Sequence, residues 1–251
     1  MVRTKLFALA AFCACLLTHC GSTPPKSKYT GKTDGKKEVW LGASQLHEVI
    51  SAAGQRGLVD VRTYIPDIQY DLPYRTKKNV CWQPLYPQDM PCLLHIRTVE
   101  KLRVAQEILR SKGLGLKIWD AYRPPEVQES LFEHGGYTGM FTPPSLMWSR
   151  HCSGTAVDVT LVDASGRELE MPTGFDEADA KTSHNSSLPS EEVKSRRMSL
   201  QLAMTAAGFS MLDTEWWHFD DAEFDNGGVP PVVFAKDIGL TLPVIKKRRA
   251  S

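Results

Sequence analysis

Apolar residues recur at helical spacing from Leu93 to Lys112, at Ile96, Val99, Leu102, Ala105, Ile108 and Leu109, and stop at Gly113. That stripe predicts the strongest helix of the chain. A shorter one, Leu46, Val49 and Ile50, predicts a helix over Ser44–Ala53 with Ser44 as its cap and Gly54 as its stop. Pro124-Pro125 opens another that ends near Gly135. A fourth runs from the capping Ser190, with Glu191 and Glu192 in its first turn, to Ala207 before Gly208. Strand patterns are expected at Leu116–Tyr122, at Phe209–Phe219, and where Val157, Val159 and Leu161 alternate with Asp158 and Thr160. Helices and strands do not alternate regularly enough for a doubly wound parallel sheet. The expected class is α+β, with helices packed on a mainly antiparallel sheet.

The ends of the chain carry different patterns. Arg3 and Lys5 precede an apolar run from Leu6 to Leu17, too short to span a bilayer and of signal-peptide form. Leu17-Thr18-His19-Cys20 resembles a bacterial lipoprotein cleavage site, so residues 1–20 are expected to direct export and Cys20 to carry a lipid anchor at the periplasmic or cell surface. Residues 21–38, rich in Ser, Thr, Pro, Gly and Lys, read as a flexible tether. Residues 39–245 suffice for one domain with a full-sized core, and residues 246–251 form a basic tail.

The whole chain carries 30 Lys+Arg against 29 Asp+Glu. Loss of residues 1–19 removes Arg3 and Lys5, leaving 28 against 29, or −1. That balance does not point to a nucleic-acid partner. Contact with a membrane is expected only through the anchor. Of six cysteines, Cys13, Cys15 and Cys20 lie in the leader and Cys81, Cys92 and Cys152 in the domain. Outside the cytoplasm Cys81 and Cys92 either close a short loop as a disulfide, contributing on the order of 3 kcal/mol, or remain buried thiols. Cys152 reads as a packed small residue.

Candidate chemistry centres on Trp148–Leu161. It brings His151 and Asp158 together across a loop containing Gly154, and a second histidine, His218, stands three residues after Glu215 in Glu215-Trp216-Trp217-His218. Two imidazoles and a carboxylate suit zinc, and three protein ligands with an open position are the catalytic arrangement. Glu215, flanked by tryptophans, is then a general base and acid whose pKa is raised by lost solvation. On a regular strand positions three apart face opposite sides, so Glu215 and His218 require a bulge or a strand end. Arg123 sits at a strand-to-helix corner stiffened by two prolines. It either stabilises an oxyanion or pairs with Asp120 or a helix carboxylate. His47 lacks the second histidine of a helical zinc motif, and His95, His134 and His184 have no carboxylate at useful spacing.

Ser149-Arg150-His151-Cys152-Ser153-Gly154-Thr155-Ala156-Val157-Asp158, Glu215-Trp216-Trp217-His218-Phe219 and Asp120-Ala121-Tyr122-Arg123-Pro124 resemble the motifs of the D-alanyl-D-alanine dipeptidases, the VanX-like zinc peptidases. Asp71-Leu72-Pro73-Tyr74 with Asn79, and Met171–Asp176, are similar to two further motifs of that family, in its order. The resemblance implies the zinc fold shared with D,D-carboxypeptidases and hedgehog signalling domains. It further implies one zinc ion on His151, Asp158 and His218, catalysis by Glu215 and Arg123, and a dipeptide site lined by Tyr74, Ser149 and Asp176. Asp176 and Glu215 would meet the ammonium of D-Ala-D-Ala. The implied activity is hydrolysis of that dipeptide to two D-alanines, on material released from the cell wall. Trimming of peptidoglycan stems by a D,D-carboxypeptidase, and a non-catalytic zinc-stabilised binding lipoprotein, are the alternatives.

Overall fold

Alternation of Val157, Val159 and Leu161 with polar residues produces the central strand of the molecule, β5 (Ala156–Asp163). In this computed structural model, which describes residues 38–177 and 179–245, β5 lies between β4 (Leu114–Asp120) and β7 (Glu215–Asp221), antiparallel to both. A short strand, β2 (Gln69–Tyr70), joins β4 in parallel, and β6 (Phe209–Leu212) closes the other edge antiparallel to β7. The leader, Cys20, the tether to residue 37 and Lys246–Arg249 lie outside the described residues. Among the described residues no helix is long and apolar enough to cross a membrane.

Register divides the sheet into two chemically distinct faces. Leu116 opposes Leu161, Ile118 opposes Val159, and Val157 opposes Phe219, so these side chains share one apolar face. They join one core with Val99, Leu102 and Leu109 of helix α3 (Ile96–Arg110) and Leu200, Ala203 and Met204 of helix α5 (Glu191–Ala206). On the opposite face Asp120 stands beside Asp158, and Asp158 beside His218. A polar row thus crosses three strands.

The expected α+β class is the observed one, and its boundaries shift for physical reasons. The first helix, α1, runs Gly42–Gly54 and has no side-chain cap of its own; α2 (Val61–Tyr64) and α4 (Pro125–Gly135) are the other two α-helices beside α3 and α5 among the described residues. Instead of Ser44, the carboxylate of Asp89 accepts from the amides of Leu41 and Gly42 at 2.8 and 2.9 Å. The start of the long apolar stripe is not helical. Leu93–His95 (β3) pairs with Leu58–Asp60 (β1) in a two-stranded sheet before α3 begins. The single strand expected over Phe209–Phe219 is a hairpin, β6 and β7, with a register slip between Met211 and Leu212. Ser190 does cap α5, accepting from the amide of Val193.

Cys81, Cys92 and Cys152 are all free thiols and buried. Cys81 donates to the carbonyl of Ser130, and burial pushes its thiol up to about 12.

Candidate active site

Backbone hydrogen bonds bring the end of β4 against the loop that precedes β5. Ser149 accepts from the amide of His151 and opens a short 3-10 helix, Arg150–Ser153, which ends on Gly154 at φ +69. The amide of Arg123 donates to the carbonyl of His151 at 3.1 Å, and the Nδ1 of His151 donates to the carbonyl of Ala121 at 2.7 Å. That bond leaves Nε2 of His151 facing the polar row, 3.3 Å from Asp158 and 3.2 Å from Nδ1 of His218. Nδ1 of His218 lies 2.9 Å from the other oxygen of Asp158, and Nε2 of the same ring lies 3.2 Å from Asp220.

His151, Asp158 and His218 are all buried, and each offers one donor atom within 4.8 Å of the others. Two imidazole nitrogens and a carboxylate oxygen are donors that zinc accepts, and a buried trio of this kind fits a catalytic zinc ion. Burial favours the neutral carboxyl at Asp158, but the two imidazoles outweigh it and hold the group well below the usual carboxylate range.

The trio lies in the wall of a cavity of about 320 Å³ that Arg123, Ser149, Asp176 and Glu215 also line. The condition on Glu215 and His218 is met by the strand end. Glu215 is the first residue of β7 and, through the slip at Leu212, turns toward the same cavity as His218. Burial pushes its carboxyl up to about 8. Arg123 does pair with Asp120, at 2.7 Å, while its other nitrogens reach Gln128 at 2.9 Å and Asp158 at 3.4 Å. Asp120 also accepts from Tyr86 at 2.8 Å. The two readings of Arg123 are therefore compatible, because the carboxylate that pairs with it aims it. Despite burial, the carboxylates Asp120 and Asp158 beside it keep the guanidinium protonated.

A loop from Met171 closes the far side. The indole of Trp216 donates to Thr173 at 3.0 Å, and the ring of Phe175 packs on Tyr74 and Trp119. Asp176 then adopts φ +56, a left-handed conformation that Asp tolerates better than most residues. Its carboxylate accepts from the Tyr74 hydroxyl at 2.6 Å, and burial raises its pKa to about 7.

All eight site residues expected from the sequence converge here, with Tyr74 entering through Asp176 and the other seven lining the cavity. Sequence reasoning missed Gln128, the carbonyl of Ala121, and Asp220. The last had a usable signal, since residues two apart on a strand share a face. His47 is exposed, and His95, His134 and His184 stand outside the cluster.

Residues 54–229 match a family described as D-Ala-D-Ala dipeptidase. The chain is 34% identical over 164 residues to a D-alanyl-D-alanine dipeptidase of Escherichia coli K12, covering 65% of this chain and 83% of that protein. It is 28% identical over 172 residues to one from Enterococcus faecium, covering 61% and 85%. Identity to one from Streptomyces coelicolor is also 28%, over 175 residues, covering 62% and 86%.

Proposed function

The chain belongs to the D-Ala-D-Ala dipeptidase family, and on that premise we propose that it hydrolyses free D-alanyl-D-alanine to two D-alanines with zinc as cofactor, in turnover of cell-wall peptide. The observation that carries this is the meeting of the buried trio with Glu215, Arg123 and Asp176 around one cavity. Its volume lies at the small end of ligand sites.

His151, Asp158 and His218 would hold the ion, which when bound polarises the scissile carbonyl and lowers the pKa of water. Glu215 takes the proton of the attacking water and hands it to the departing amine; with its pKa raised to about 8 it can do both near neutrality. Arg123, aimed by Asp120 and Gln128, donates to the oxygen on which negative charge develops. Little water competes at so buried a guanidinium, so that bond is stronger than on the surface. Asp176, oriented by Tyr74, and Glu215 receive the substrate ammonium, and Ser149 supplies a hydroxyl to the same wall. An anionic end reading a free ammonium favours a dipeptide over a longer stem.

The deciding experiment compares D-alanine release by the zinc-loaded chain from D-Ala-D-Ala and from a stem peptide ending in the same two residues. Release from the dipeptide alone is expected. Cleavage of the stem would make the protein a carboxypeptidase, and silence on both with zinc bound would make it a binding protein.

Export and anchoring through Cys20 complete the proposal, supported by the apolar run Leu6–Leu17 and the residues before the cysteine. The substrate would then be dipeptide released outside the cytoplasmic membrane. Cys20→Ala is expected to move the protein from the membrane to the soluble fraction and to remove the acyl mass; unchanged fractionation would refute the anchor.

A further inference from the structure

We propose that Asp220 is a positioning residue that selects Nδ1 of His218, rather than Nε2, as the nitrogen presented to the metal. This rests on the zinc-centre reading of the trio. The two rings are held by different acceptors and present different atoms. In His151 the carbonyl of Ala121 takes the Nδ1 hydrogen and frees Nε2. In His218 the arrangement is reversed, with Nε2 3.2 Å from the Asp220 carboxylate and Nδ1 facing Asp158 and Nε2 of His151.

A carboxylate has no hydrogen to give, so the contact with Asp220 requires the hydrogen on Nε2. Asp158 is itself one of the three donors, which leaves Asp220 as the carboxylate free to hold that hydrogen. The strand places the two side chains side by side. His218 and Asp220 are two apart on β7 and share a face, and antiparallel pairing fixes Asp220 between Ala156 and Ser210. Carboxylates behind ligating histidines set the tautomer and raise ligand basicity, and their loss costs 10- to 100-fold in metal affinity.

The test uses the full chain, with zinc affinity measured by chelator competition. Asp220→Ala is expected to weaken zinc binding roughly 10- to 100-fold, with the thermal midpoint of the metal-free protein little changed. Asp220→Asn, whose amide oxygen can still accept, is expected to fall between the two. Nitrogen NMR of the zinc-loaded wild type, with the His218 signal identified by its loss in His218→Gln, is expected to place the hydrogen on Nε2. Wild-type zinc affinity in both variants, or a hydrogen on Nδ1 of His218, would overturn the assignment while leaving the metal centre intact. Failure of the wild type to bind zinc would instead remove the reading on which it rests.

Discussion

The hydroxyl of Tyr74 donates to the carboxylate of Asp176 at 2.6 Å, across 102 positions of sequence. Tyr74 is buried and Asp176 half-buried, and the bond sets the charge of the cavity's anionic end. Burial raises Asp176 to about 7 while the Tyr74 bond opposes the rise. Above that pH the group is an anion able to attract an ammonium; below it the attraction is lost. KM for D-Ala-D-Ala is therefore expected to increase as pH falls through neutrality. Tyr74→Phe removes an interaction that favours the anion, so the midpoint of the KM profile should move to higher pH. At neutral pH kcat/KM should drop on the order of tenfold or more. Steady-state kinetics across neutral pH check both, and an unmoved midpoint would separate Tyr74 from Asp176.

Glu215→Gln keeps the shape of the side chain and removes its ability to carry a proton. Zinc content is expected to remain at wild-type level, because Glu215 is not in the trio, while kcat falls by roughly 100-fold or more. Metal analysis on the kinetic samples checks the separation, and near-normal turnover would remove Glu215 from the role of base.

Arg123→Ala should cost both rate and stability. Loss of the donor to the developing oxyanion is expected to lower kcat roughly 100- to 1,000-fold. The same change strands Asp120, a fully buried carboxylate whose cationic partner is Arg123, at a cost of about 3–5 kcal/mol. Adding Asp120→Asn should recover part of the stability and none of the rate, since a neutral amide no longer needs the counter-charge. Chemical denaturation of both single variants and the double variant would show the coupling; additive losses would contradict it.

Gly154→Ala tests the loop between the two ligands. The glycine sits at φ +69, and a Cβ there would lie 2.5 Å from Cδ2 of Leu58 and 2.9 Å from the backbone nitrogen of His95. Neither the left-handed conformation nor the contact can be relieved cheaply. The expected result is a loss of more than about 1 kcal/mol, together with weaker zinc retention as His151 shifts against Asp158. Thermal unfolding with and without zinc measures both.

The sequence by itself determined the helices, the strand character of β4 and β5, and the identity of the trio, because these depend on periodicity within a segment and on side-chain chemistry. Ile96 to Leu109 and Val157 to Leu161 state their faces locally, and His151, Asp158 and His218 are metal donors wherever the chain carries them. Tertiary structure alone decided what depends on distant partners. Leu93–His95 continues a helical stripe but becomes a strand because Leu58–Asp60 offers it a ladder. Leu41 and Gly42 are capped by Asp89, 47 to 48 positions away. Glu215 shares a cavity with His218 only because the ladder slips at Leu212, and Arg123 points inward because Asp120 and Gln128 hold it. Register and bulges set which side chains meet across a sheet, and they come from the packing of the whole chain rather than from any one stretch of it.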